Sequence, residues 1–556
     1  MPKKRPSLRF RNEWNYEKRS ILQRIKLSNM LEATLAILNA EVITLNSKQP
    51  RAEAIAIQNG KMIAVGSNQE IRKHISNKTK VIDAKNRTVV PGFVDCHVHM
   101  AGFGRSLQDL DLRNLTSIKE MQLLLQEYAK KNPEKSWILG GRWDQEKFGE
   151  KRYPTRRDLD AAVADKPVFL VRVCGHAGVV NSKALQQAGI TKETTIEGGK
   201  IDLDEATGEP VGVLHENALK PVWKAIPKPS LKELEEACLL ACQRTVESGL
   251  TGVHWMVGSA DEIRAIQKLH SEEKLLLRVY LGIPAELLDE LVNLGLLTGF
   301  GNDMVKIGFI KVFVDGSLGA RTAALKQPYF DKPETSGMLL YTQKKLNKLV
   351  LKAHRAGLQL AVHAIGDRAI ETALKAFEKV LTEHLRENLR HRIEHCSVLN
   401  PRLIRRMKRL GLIASVQPHF VVSDFWVVDR VGEDRARWVY PFKTLMHEGL
   451  IVSSGSDCPV EPINPLLGIW AAVARKSFVE ENLTVEEALR TFTLNAAYAS
   501  FDENKKGTIE VGKFADLTIL SDNFLDVPPD EIRGVTVVMT IVGGRIVYAH
   551  QSSYWC

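Results

Sequence analysis

Nine residues carry the first chemical signal in the chain: Pro91-Gly92-Phe93-Val94-Asp95-Cys96-His97-Val98-His99, two histidines one residue apart at the end of an apolar run. In a strand, positions i and i+2 share a face, so His97 and His99 project together while Val98 points away. Adjacent imidazoles are poor core material because each needs a hydrogen-bond partner, but they make good cis ligands for one metal ion. The pair alone leaves both readings open. Further along, other apolar runs end on metal-competent side chains: Lys311 and Asp315 in VKIGFIKVFVDG, His363 in AVHAIGD, His395 in RIEHCSV and Asp457 in SSGSDCP. Singly, each has a plainer reading. A histidine can be satisfied by one core hydrogen bond, and Asp457 can cap the next helix. Jointly, the plainer reading requires the same coincidence on five strands.

These side chains need elements that bring them to one place. Between residues 91 and 505 the pattern alternates strand and helix. Candidate strands run from GFVDCHVH (92–99) through TGVHWMV, LLLRVYLGI, VKIGFIKVFVDG, LQLAVHAIG, HRIEHCSV and LIASVQPH to LIVSSGSD (450–457). Amphipathic stretches such as RAIETALKAFEKVLTEHL separate most of them. Eight strands with crossover helices predict an α/β protein with a (β/α)8 TIM-like barrel, whose catalytic groups sit at the C-terminal strand ends. The gap between the first two strands is too long for one crossover, so about residues 105–235 form an inserted α/β subdomain. Residues 33–90 and 506–548 both read as short strands and turns, with Asn59-Gly60 as a hairpin signal. Neither segment makes a stable sheet alone, which predicts one small composite β-sandwich.

Composition is ordinary for a globular protein, 44% hydrophobic and 26% charged over 556 residues. The net charge of +11 is mostly a tail: nine Lys/Arg against two acids in residues 1–29 leave only +4 for the rest. Residues 1–32 therefore read as a basic extension, a solvated tail rather than a nucleic-acid arm, and Met30 is an alternative start. No apolar run is long enough to span a bilayer, and the basic N-terminus lacks the uninterrupted apolar core of a secretory signal. Seven scattered cysteines without a C-x-x-C pair fit free thiols in the cytoplasm.

The stretch VIDAKNRTVVPGFVDCHVHM resembles the entry to the catalytic barrel of the amidohydrolase superfamily. The likeness continues through KVFVDGSLGARTAAL, AVHAIGDRAI, RIEHCSV, SGSDCPVEPINPL and GTIEVGKFADLTIL. GHAGVVNSKAL and VGVLHENAL are similar to the branch that contains N-substituted formamide deformylase. The resemblance implies one or two divalent ions, with zinc expected: His97, His99 and Asp457 around the more buried ion, His363 and His395 around the more exposed one. It implies Lys311 as the bridge, carbamylated. A carbamate offers two anionic oxygens where an ammonium offers none, and burial among Ile307, Phe309 and Phe313 would favour the reactive free amine. Lys311 reaching towards Asp315 is the plainer alternative, and Glu216 is a competing bridge. Cys96 departs from the family pattern, and it alternates away from His97.

The activity implied is hydrolysis of a non-peptide C–N bond, an amide of a small molecule, by metal-activated water, with Asp457 as the proton shuttle. A catalytically silent assembly or binding protein of the same fold is the alternative. Substrate contacts are expected from the loops: Arg142, Trp143, His176 and Asn181 in the insertion, Asp315 and Arg321 after the fourth strand, Gln417 and His419 after the seventh. Each also has a loop-bracing reading. No nucleic-acid or membrane partner is expected, and a homo-oligomer would be in keeping with the family.

Overall fold

The computed structural model describes residues 31–172, 177–196, 199–383 and 389–550. The basic extension through residue 30 lies outside them, and so does His176. The chain divides into two compact units. Among the described residues, one comprises those up to 99, those of 242–258 and those from 272 onward; the other comprises those within 100–241 and 259–271, wider than the expected 105–235.

In the first unit, eight parallel strands follow one another around a barrel. They are Phe93–Val98, Leu250–Met256, Arg278–Pro284, Val305–Phe313, Gln359–Ala364, Arg392–His395, Ile413–Val416 and Val452–Ser454, here strands one to eight. Nearly all their residues are buried, as expected where helices cover the outside of a parallel sheet. The lower interior is filled by Met256, Tyr280, Phe309 and Ala361.

The same unit holds two further sheets. One joins Leu35–Leu38, Ala54–Gln58, Lys61–Gly66 and Lys80–Asp83; the other joins the N-terminal strands Glu41–Ile43, Arg51–Ala52 and Thr88–Pro91 to the C-terminal strands Leu517–Leu520, Val537–Val542 and Arg545–Ala549. Thr88–Pro91 pairs antiparallel with Leu517–Leu520, so the two ends of the chain share a ladder. One core serves both sheets, including Ile37, Ile55, Val89, Leu517 and Ile541, and each such side chain contributes roughly 1.5–3 kcal/mol by leaving water. Asn59 and Gly60 both take positive φ, 49° and 76°, the turn that a two-residue hairpin requires. Asp516 carries this region onto the barrel: its carboxylate receives Arg278 of strand three at 2.6 and 2.9 Å.

The second unit is built on a six-stranded mixed sheet, with cores on both faces. Among the described residues no helix is long and apolar enough to cross a membrane. The described cysteines Cys96, Cys238, Cys242, Cys396 and Cys458 are buried, and no disulfide joins them.

Candidate metal centre

The barrel gathers the expected side chains at its C-terminal end. His97, His99 and Asp457 offer ligand atoms that all lie within 4.8 Å of one another. Asp457 Oδ1 stands 3.5 Å from His97 Nε2 and 3.3 Å from His99 Nε2. Lys311 Nζ is 2.9 Å from His97 Nε2, and so stands at the trio rather than reaching for Asp315. The His395 ring lies 4.8 Å from that of His97 and 4.5 Å from that of His363. Asp457 caps no helix; the next one is capped by Asn464.

Hydrogen bonds fix the tautomers of His97, His395 and His363. His97 Nδ1 bonds Glu394 Oε2 at 2.6 Å. Burial pushes the His97 pKa well below the usual value, so the ring is neutral. It therefore donates from Nδ1 and directs the Nε2 lone pair at the centre. His395 donates from Nδ1 to Gln417 Oε1 at 2.7 Å and keeps Nε2 free, while His363 donates from Nε2 to the Gly316 carbonyl at 3.1 Å and keeps Nδ1 free. Burial pushes the His363 pKa down to about 3 and that of His395 well below normal, so both are unprotonated bases. Burial also pushes the Lys311 ammonium down to about 8, which makes the free amine accessible near neutral pH. A set of neutral imidazoles with a carboxylate and a depressed lysine suits a divalent cation.

Two residues beneath the centre escaped the sequence reading. Burial acts to raise the Glu394 carboxyl, but Arg392 and Lys311 outweigh it and hold the pKa below the usual range. Arg392 grips both carboxylate oxygens at 2.8 and 3.0 Å; it also reaches the Cys96 carbonyl, Ser415 Oγ and His254 Nδ1, and stacks over Phe309 at 4.6 Å. A fully buried arginine is tolerable only when its donors are met this way. The signal was an Arg and a Glu alternating on an otherwise apolar strand. It was hidden because strict alternation would send Glu394 and His395 to opposite faces. His395 and Cys396 take left-handed φ of 72° and 48°, and this turn brings both Glu394 and His395 inward. Asp457 also sits at a left-handed φ, 57°.

The expected substrate contacts fare differently. Trp143 is fully buried, bonds the Leu170 carbonyl and packs edge-on to Tyr153, so it is core of the second unit. Asn181 spends its amide on Val168 N, Ala184 N and the carbonyls of Val163 and Lys166, which leaves nothing for a substrate. Arg321 pairs with Asp331 and braces its own loop. Asp315 receives the backbone N–H groups of Ala324, Ile365 and Gly366, which pins the loop after strand four to the end of strand five. Gln417 holds His395, and His419 pairs with Glu461 at 2.5 Å. Arg142 is half-exposed, 3.9 Å from Asp111. The Glu216 backbone ends the strand Pro210–Glu216, and its side chain lies outside the described residues. Cys96 is buried with Val94 and Ala496, away from the ligands.

A parallel barrel that gathers histidines and a carboxylate at its C-terminal end is the architecture on which metal-dependent hydrolases are built. The sequence model of the amidohydrolase family matches residues 80–548, and the chain belongs to that family. It is 37% identical to a putative amidohydrolase, YtcJ, of Bacillus subtilis, over 91% of this chain and 98% of the relative. It is 27% identical to the N-substituted formamide deformylase of Arthrobacter pascens, over 93% and 99% of the two chains. Among solved structures, an uncharacterized metal-dependent hydrolase from Pyrococcus furiosus superposes with a TM-score of 0.76 at 34% identity, covering 89% of this chain and 99% of that one.

Proposed function

We propose that the protein hydrolyses a non-peptide amide bond of a small molecule, R–CO–NH–R′ plus water giving the acid and the amine. His97, His99 and Asp457 would hold one divalent ion, with zinc the first choice, and His363 and His395 a second. Lys311 would bridge them as a carbamate, formed when its free amine adds carbon dioxide and loses a proton; Glu216 is the alternative bridge. The observation that carries this reading is the convergence of His97, His99 and Asp457, with His97 locked by Glu394 in the ligating tautomer. When bound, a divalent cation lowers the pKa of water from about 16 towards about 7 and polarises the substrate carbonyl.

The chain's own groups do the rest. Asp457, whose Oδ1 faces His97 and His99, would accept the attacking water's proton and return it to the leaving nitrogen. The buried imidazoles of His97, His363 and His395 remain neutral because burial opposes their charge, so they do not compete for that proton. The likeness to a formamide deformylase supports N-formyl amines as the first substrates to test. Purified protein should be assayed on a panel of N-formyl, N-acyl and cyclic amides. Turnover of at least one, abolished by chelation and restored by zinc, supports the proposal. Inertness of metal-loaded protein towards the whole panel removes the amide assignment.

A further inference from the structure

Barrel strands one to seven are each joined to the next by a parallel ladder, and so is seven to eight; among the described residues no ladder joins eight back to one. The barrel therefore has a seam, and His97, His99 and Asp457 straddle it. Polar bonds cross where a ladder is missing. The Asp95 carboxylate accepts His97 N at 2.9 Å on its own strand and, across the seam, Ser456 N at 3.0 Å and Ser456 Oγ at 2.5 Å. Asp457 N donates to the His97 carbonyl at 2.6 Å, and His99 N to the Cys458 carbonyl at 2.9 Å. The approach is so close that a Cβ on Gly455 would lie 2.4 Å from His97 N and 2.6 Å from Asp95 Oδ1. Outside the seam, strand one gives Val94 N to the Phe492 carbonyl, and Asn495 Nδ2 meets the Val452 carbonyl of strand eight.

We infer that Asp95 is the positioning residue that closes this seam and sets the spacing of the ligand trio. Its carboxylate gathers donors from the segments that carry His97 and Asp457, so a change in its bonding separates the ligands of one ion onto two independently moving strand ends. A cation held by the trio spans the same seam. Binding and closure are then coupled, and by linkage each strengthens the other. The inference rests on the metal reading above, but the clasp is made by the chain's own groups.

The test uses full-length metal-free protein and compares wild type, Asp95→Asn and Ser456→Ala. Asp95→Asn turns an all-acceptor group into one that must present an NH2 towards N–H donors. Ser456→Ala removes only the hydroxyl arm and carries the test if the asparagine variant does not fold. Two quantities are read: amide hydrogen exchange in peptides covering residues 92–99 and 450–460, with 358–366 as control, and zinc affinity by competition with a chromophoric chelator. The expectation is faster exchange confined to the two seam peptides. Zinc should bind roughly 10- to 100-fold more weakly, the usual scale for lost outer-shell support, and saturating zinc should restore seam protection. Wild-type zinc affinity in the variants, or exchange accelerated equally in the control peptide, overturns the inference. If wild-type protein binds no zinc, the metal reading fails, while seam-confined exchange still identifies the clasp.

Discussion

The two sides of the metal centre are built differently. On strands one and eight, His97, His99 and Asp457 bring their ligand atoms within 4.8 Å of one another. Their backbones are cross-linked, and a carboxylate gripped by a buried arginine stands behind His97. On strands five and six, His363 and His395 donate their hydrogen bonds to neutral partners, the Gly316 carbonyl and the Gln417 amide, and the one carboxylate nearby, Asp315, stands 3.5 Å from His363 Nε2. Charge-assisted bonds are about twice as strong as neutral ones, so the first side is the better organised. On the proposed reading, this difference predicts ordered loading, with a tight first ion at the trio and a looser second one at the histidine pair.

The largest effects are expected at Asp457 and at Lys311, the proposed bridge between the two sides. Asp457→Asn keeps a metal-facing oxygen but cannot take a proton, so turnover should fall by roughly two orders of magnitude or more, with metal retained in part. Lys311→Ala should remove the bridge, lower metal content and nearly abolish turnover, and short carboxylic acids in solution should restore part of it. Initial rates and metal content on one working amide check both. Unchanged activity in Lys311→Ala would move the bridge to Glu216.

Glu394→Gln should weaken the tight ion by roughly 10- to 100-fold, because the amide no longer fixes the His97 tautomer and leaves Arg392 without its counter-charge. Gln417→Leu should act on the other side and by less. It should lower the second equivalent alone, since only a neutral bond is lost. Stepwise zinc titration separates the two; equal weakening of both equivalents by either variant would dissolve the distinction.

The smallest effect lies away from the centre. His391 accepts Leu360 N at Nδ1, and burial, followed by the neighbouring His354, pushes its pKa down to about 3. Between about pH 6.5 and 3 the unfolded chain binds a proton that the folded chain refuses, so stability present above pH 6.5 is lost as pH falls. His391→Gln should flatten the loss of urea midpoint between pH 7.5 and 5.

Much of this was readable from residue types. Histidines and an aspartate at the ends of apolar runs announced both the barrel and the cluster at its C-terminal end, because a parallel strand buried on both faces has few other reasons to carry them. Alternation also put Lys311 inward. What was not readable came from backbone geometry and long-range bonding. Glu394 was hidden by the left-handed turn at His395. Asp95 looked like an ordinary strand residue, because its partners lie some 360 positions away. Trp143 and Asn181 looked like substrate contacts, but their unit has its own core and loops to satisfy. Local pattern carries no information about which polar group another segment will claim.

The central claim is that this centre holds metal and that the metal is required for hydrolysis. Elemental analysis of protein purified without chelators, paired with amide turnover before and after metal removal, tests it most directly. The account predicts one to two equivalents of a divalent transition metal, loss of turnover on chelation and recovery on adding zinc. Well-folded, metal-free protein that still hydrolyses the amide at the original rate would contradict it.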